Sequence, residues 1–210
     1  MDAHNLVSFY KQHFNDSPKT ILDFGAHDLR DTLILAEAFP DAKIYAFEAN
    51  PEYYSICVNN NRFPDRITVT HKAISNQNGT ISFYLTPGNI GASSVLKPLD
   101  WIPWTNDKTV NEIIVEATRL DTWLEQNGID QVDVVWMDAQ GSELLCLQGM
   151  GSYLDKVKML QTEVGVQAYY EGHTLYPEVN AHLIQCGFEQ IYTQHDWSHE
   201  DNLVYINKKV

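Results

Sequence analysis

Four carboxylates stand at or near the ends of apolar runs, and their positions set the chemistry this chain can offer. Asp23 lies in Thr20-Ile21-Leu22-Asp23-Phe24-Gly25-Ala26, and Glu48 closes Lys43-Ile44-Tyr45-Ala46-Phe47-Glu48. Asp138 follows Val132-Asp133-Val134-Val135-Trp136-Met137, and Glu163 falls in Leu160-Gln161-Thr162-Glu163-Val164. If these runs are neighbouring parallel strands, the side chains emerge together at one sheet edge, the ligand edge of an open α/β sheet. There Glu48 can accept hydrogen bonds from ribose hydroxyls. Asp138 and Glu163 admit two uses. Their oxygens can hold a hard divalent cation, Mg²⁺ or Mn²⁺, or one of them can act as general base toward a hydroxyl. His173 and His195, in loops expected near the same edge, are the alternative bases because an ordinary imidazole titrates in the useful range. No histidine has zinc-ligand spacing, and no nucleophile motif for covalent hydrolysis is present.

Gly25 decides which nucleoside ligand fits. A dinucleotide fingerprint needs three spaced glycines, so that bare amides meet a diphosphate at a helix N-terminus. Here one glycine is followed by His27-Asp28-Leu29-Arg30-Asp31, which brings acidic side chains instead. A cofactor with ribose but no phosphate, S-adenosylmethionine, suits this turn better than NAD.

The elements that must position these residues alternate. Apolar spacing predicts a leading helix within residues 1–18, then strands over 20–24, 43–47 and 67–74, with helices over 30–39 and from Pro51, where Asn50 caps and proline starts the turn. Two strands without an intervening helix follow, at 79–86 and 111–117. The irregular insert between them, residues 87–110, reads as a substrate loop or a surface excursion. Alternation resumes with helices near 120–126, from Ser142 and over 176–186, and strands over 132–137, 159–164, near Ile191 and over 203–206. Glu143, in a first helical turn, reads as structural. The expected class is α/β, a single doubly wound domain with a mostly parallel sheet and an antiparallel finish.

Composition narrows the partners. The 210 residues carry 28 acidic and 14 basic side chains, a formal charge of −14, which opposes binding to phosphate backbones. Nucleic acid is therefore not an expected partner. No apolar run approaches a membrane span, and the polar start lacks the pattern of a secretion signal, so the expectation is a cytoplasmic protein with no membrane partner. Cys57, Cys146 and Cys186 lack metal spacing and read as reduced, buried thiols.

Several segments together resemble the FkbM family of S-adenosylmethionine-dependent methyltransferases: Ile21-Leu22-Asp23-Phe24-Gly25-Ala26, Ala46-Phe47-Glu48-Ala49-Asn50-Pro51, Arg119-Leu120-Asp121-Thr122-Trp123-Leu124, the run from Val134 to Leu144, Tyr170-Glu171-Gly172 and Cys186-Gly187-Phe188. The resemblance implies a class I, Rossmann-like fold with an antiparallel last strand. It implies that Asp23, Phe24, Gly25 and Ala26 cradle the methionine portion of the cofactor and that Glu48 and Ala49 hold ribose and adenine. Ala73 and Ile74 would flank the adenine, and Asp138, Ala139 and Gln140 would line the transfer centre. Trp136 and Gln140 depart from the family, which commonly has a lysine and an acidic residue there.

The implied reaction is O-methylation of a sugar, glycan or small glycoside. Ser93 and Ser94 belong to a loop near the cofactor or acceptor, and Trp101, Trp104 and Tyr169 are candidates to stack on a sugar face. An NAD-dependent oxidoreductase and a non-catalytic carbohydrate-binding domain are the alternatives on the same fold.

Overall fold

The computed structural model describes residues 2–102, 110–196 and 200–210. The expected alternation opens with α1 (Ala3–His13), β1 (Thr20–Phe24), α2 (Arg30–Ala38), β2 (Lys43–Phe47), α3 (Pro51–Asn60) and β3 (Ile67–Thr70). After β4 (Ala73–Ile74), β5 (Gly79–Leu85) and β6 (Asn111–Thr118) come α4 (Leu120–Gln126), β7 (Val134–Met137), α5 (Glu143–Met150), β8 (Met159–Gly165), α6 (Tyr176–Gln185), β9 (Phe188–Asp196) and β10 (Glu200–Asn207).

Among the described residues the main sheet has seven strands in the order β3-β2-β1-β7-β8-β10-β9. Strands β3, β2, β1, β7 and β8 pair in parallel, whereas β10 runs antiparallel to both β8 and β9. The order reverses between β1 and β2 on one side and β7 on the other, which opens a crevice at their carboxyl ends.

Period-two alternation divides the core. Leu22, Val135, Leu160 and Leu203 pack with Trp123, Leu147 and Leu183 of α4, α5 and α6. Ile21, Val134, Met159 and Val204 face Leu6, Leu35 and Cys57 of α1, α2 and α3. Helix starts follow local chemistry. Asp2 accepts from the backbone N–H groups of His4 and Asn5, and Asn50 accepts from Glu52 N–H with Pro51 at the first helical position.

The single strand expected over 67–74 is two strands in two sheets. β2 ends at Phe47, opposite Thr70, so the chain has no main-sheet partner beyond that point. It turns at His71-Lys72, and Ala73 and Ile74 pair with Ala117 and Thr118 of β6 in a second sheet of order β4-β6-β5. Among its described residues the insert contributes a 3₁₀ turn over Ile90–Ala92 and antiparallel bridges from Ser94 to Tyr84 and from Pro98 to Tyr170. Its residues 103–109, with Trp104, lie outside the described residues. No helix among the described residues is long and apolar enough to cross a membrane.

Candidate active site

The turns after β1 and β7 are pressed together. Gly25 has φ +84°, and a Cβ there would lie 2.0 Å from the carbonyl oxygen of Asp138, so only glycine permits the approach. The N–H groups of Gly25 and Ala26 both donate to Phe47 O at 3.0 Å, and Asp138 N–H donates to Phe24 O at 2.9 Å. Among the described residues, the non-glycine residues with positive φ, His27, Leu29 and Gln140, all fall in these two turns. Backbone strain concentrated at one place is what a preorganised site carries.

The turns border a cavity of about 440 Å³. Every residue expected at the cofactor lines it: Asp23, Phe24, Gly25 and Ala26 after β1; Glu48 and Ala49 after β2; Ala73 and Ile74 in the second sheet; Asp138, Ala139 and Gln140 after β7. Ser93 and Ser94 of the insert line it as well, and so does Glu163.

Glu48, Asp23 and Glu143 are held by N–H and O–H donors and form no ion pair among the described residues. Glu48 accepts from His27 N–H at 2.8 Å through Oε2 and from Asn50 N–H at 2.7 Å through Oε1, and burial pushes its pKa up to about 7. Each oxygen keeps a lone pair for a further donor. Asp23 accepts from the Thr32 hydroxyl through Oδ2, its Oδ1 is buried with no partner among the described residues, and burial raises its pKa to about 7. Glu143 caps the turn after β7, with Oε1 accepting from Ala139 N–H and Gly141 N–H at 3.1 Å each, as its place in the first helical turn predicts. Burial pushes its pKa up to about 8.

Asp138 and Glu163 form a pair. Gln140 Nε2 donates to Asp138 Oδ1 at 2.6 Å and to Glu163 Oε2 at 3.2 Å, while Gln140 Oε1 accepts from the Tyr170 hydroxyl at 3.1 Å. Burial raises both pKa values, and the Asp138 charge pushes Glu163 well above the carboxylate range. The cation expected at Asp138 and Glu163 gains no support from this arrangement: Gln140 Nε2 stands between their oxygens, whereas Mg²⁺ or Mn²⁺ needs a shell of oxygen ligands. No group of three or more His, Cys, Asp or Glu side chains among the described residues is arranged to hold a metal ion.

Neither candidate histidine reaches the cavity. The His173 ring is packed beneath the turn, close to Gly141 and Gly165. Its Nδ1 accepts from Tyr169 N–H at 3.1 Å, and burial lowers its pKa to about 4. His195 is exposed at the end of β9 and pairs with Asp201 at 2.9 Å. Trp101, itself exposed, packs against Tyr169 with ring centroids 5.5 Å apart; neither lines the cavity, and Tyr169 falls with Ile102 and Tyr170 in a separate apolar cluster. The Ser94 hydroxyl is committed to Gln140 O at 2.8 Å and fastens the insert over the turn after β7, while Ser93 Oγ accepts from Thr86 N–H at 3.2 Å where the insert leaves β5. The three cysteines are free; Cys57 and Cys146 are buried and Cys186 partly so.

Sequence patterns missed several cavity residues. The wall also contains Tyr53, stacked on His27 at 4.2 Å, and Trp136, Gln161, Glu200 and Asn202. Alternation along β7 and β8 would have placed Trp136 and Gln161 on the same face as Asp138 and Glu163; nothing local signals Asn202, whose strand inserts between two others.

Comparison with known proteins agrees with this architecture. The family model described as the methyltransferase FkbM domain matches residues 23–189. The chain is 32% identical over 161 residues to the 2-O-methyltransferase NoeI of Sinorhizobium fredii, covering 72% of this chain and 65% of that protein. It is 27% identical over 124 residues to the hexuronic acid methyltransferase AglP of Haloferax volcanii, covering 59% of this chain and 47% of that protein. The chain therefore spans less than two thirds of the length of either relative. Among solved structures, M. capricolum TrmK in complex with S-adenosyl-homocysteine superposes with a TM-score of 0.55 at 13% identity, over 97% of this chain and 67% of that one, a likeness of fold. With the family match running from the strand that carries Asp23 to the start of β9, this chain belongs to the methyltransferase FkbM domain family.

Proposed function

We propose that this chain transfers a methyl group from S-adenosylmethionine to a hydroxyl of a sugar, glycan or small glycoside. The observation that carries the reading is the acceptor set around Gly25: an anchored Glu48 with free lone pairs beside a buried Asp23 Oδ1 with no partner among the described residues. This set fits a ribose diol and an ammonium group. A diphosphate would instead meet Asp23, Asp28 and Asp31, all of which line the same cavity, and that disfavours NAD. The activities of the relatives, 2-O-methylation and hexuronic acid methylation, support a sugar acceptor.

When bound, S-adenosylmethionine supplies the electrophilic methyl group. The chain supplies alignment, exclusion of water and a place for a proton. Glu48 orients the ribose, and Ala49, Ala73 and Ile74 with Phe83 offer an apolar slot for the adenine. The strained turn after β7 carries Asp138, whose burial makes it a stronger base than an exposed carboxylate. Asp138 takes the proton of the attacking hydroxyl, and Gln140, which also donates to Glu163, holds it in place.

Calorimetry with S-adenosylmethionine and with NAD tests the donor, and mass spectrometry of candidate sugars after incubation tests the transfer. Preferential binding of the sulfonium nucleoside and a gain of one methyl group are expected. Tighter binding of NAD, or of neither nucleoside, would reject the reading.

A further inference from the structure

The cavity extends past Asp138 along β8 and β10 to a wall that the donor assignment leaves unused. Asp23, Trp136 and Gln161 are register partners across β1, β7 and β8, so their side chains leave the same face of the sheet. Two residues further along β8, Glu163 lies opposite Asn202 of β10. Gln161 is only 1% exposed. Its Nε2 donates to Asn202 Oδ1 at 2.9 Å, and its Oε1, in the cavity wall, has no partner among the described residues. Asn202 Nδ2 in turn approaches Glu163 Oε1 at 3.5 Å.

This wall is one-sided in charge. Asp138, Glu163 and Glu200 line it, and no lysine or arginine among the described residues does. The basic side chains that reach the cavity, Arg30 and Lys72, stand on the turns after β1 and β3, where they pair with Asp28 and Glu116. An anionic group brought against Asp138 would meet like charge in a partly desolvated site, which opposes binding. A hydroxyl would instead give Gln161 Oε1 the donor it lacks.

We propose that this wall is the acceptor subsite and that it selects an uncharged, polyhydroxylated acceptor over an anionic one such as a hexuronate, with Gln161 Oε1 taking a hydrogen bond from an acceptor hydroxyl. The inference rests on the methyl-transfer reading. Donor binding is therefore measured separately, so that failure of each is distinguishable.

The experiment offers the enzyme and S-adenosylmethionine a pool of neutral methyl glycosides (glucoside, galactoside, fucoside) and a matched pool of methyl glucuronide and galacturonide, and reads S-adenosylhomocysteine release. The neutral pool should be used with a kcat/KM about tenfold or more above the uronate pool. Gln161→Leu should raise KM for neutral glycosides about tenfold, with kcat changed far less and donor affinity by calorimetry unchanged, which also reports that the variant folds. Glu200→Lys should narrow the preference against uronates. Release from the uronate pool equal to or above the neutral pool, or from neither pool by enzyme that binds the donor, overturns the inference. Loss of donor binding in the unmodified protein overturns the methyl-transfer reading itself.

Discussion

At the N-terminal edge of the main sheet, buried Asp133 accepts from Lys19 N–H at 2.7 Å, Thr20 N–H at 3.0 Å and Gln131 Nε2 at 2.7 Å, and faces Lys158 Nζ at 3.3 Å. Lys158 also meets Asp16 at 2.6 Å; burial alone would lower its pKa, but the two carboxylates hold it above the ordinary lysine value. At the carboxyl edge of the same strands, Asp23, Glu48, Asp138, Glu143 and Glu163 form no ion pair among the described residues, and two of them leave an oxygen unpartnered. Both edges bury acids. Only one completes their coordination from within the chain. Because an unmade buried hydrogen bond costs about 1–3 kcal/mol, the open edge is held at the expense of stability, as expected where a ligand supplies the missing donors.

The sharpest way to break this contrast is to neutralise one acid at each edge. Asp133→Ala removes the partner of a buried cation and three N–H donors, and should cost about 3–5 kcal/mol. At roughly 2–4 °C per kcal/mol, a thermal melt will show it plainly, while donor affinity of the folded protein stays unchanged. Asp23→Asn should leave the melting temperature the same or higher, since the Thr32 hydroxyl keeps an acceptor and an uncompensated charge is gone. Equal destabilisation by the two changes would erase the distinction between the edges.

Binding should invert that order. Glu48→Gln and Asp23→Asn each remove a charged acceptor from the donor site, and each should weaken S-adenosylmethionine by about ten- to a hundredfold in calorimetry. Asp133→Ala should not. Undiminished affinity in Glu48→Gln would remove the ribose from that position.

How much of this was legible depended on how local the signal was. Gly25, Glu48 and the Asn50-Pro51 helix start are written into contiguous strand-turn-helix segments, and alternation placed Asp138 and Glu163 at the same edge. The break of residues 67–74 between two sheets was not legible, because it follows from where β2 ends, a fact about another segment. Asn202 reaches Glu163 only through the insertion of β10 between β8 and β9. His173 and Tyr169 were expected at the ligand edge because their loop follows β8; the loop does return there, but its rings turn inward beneath Gly141 and the insert. A loop's position can be inferred from topology. The direction of its side chains cannot.

Proton linkage offers a smaller, independent measure of the open edge. A carboxyl whose pKa is higher folded than unfolded binds its proton more tightly in the native state. Its stabilisation is complete below the unfolded value near 4 and is lost as pH rises through the folded value. For Asp23 and Glu48 that value is about 7, and for Glu143 about 8. His173 works oppositely: burial lowers its pKa to about 4, so the stability it contributes grows with pH up to about 6.5 and is then complete. Between pH 6.5 and 8, stability of the ligand-free protein should therefore fall, by on the order of 1–3 kcal/mol. Urea melts across this range would show it, and Glu143→Gln should flatten the slope. A rise over the same interval would mean that these acids are already ionised in the folded state.

The smallest expected effect is none, and it bears on the carboxylate pair at the centre of the cavity. If Asp138 and Glu163 held a divalent cation, exhaustive chelation would remove the largest positive charge at the site and turnover would collapse. With Gln140 Nε2 donating to both, no such charge is needed to keep the pair together. Turnover after chelation should match the untreated enzyme, and added Mg²⁺ or Mn²⁺ should not raise it. Gln140→Glu separates the two arrangements further, because it replaces the bridging donor with a third carboxylate. That variant should lose turnover through repulsion at Asp138 and should gain metal affinity by calorimetry, whereas a resident cation would make the unmodified protein the tighter binder.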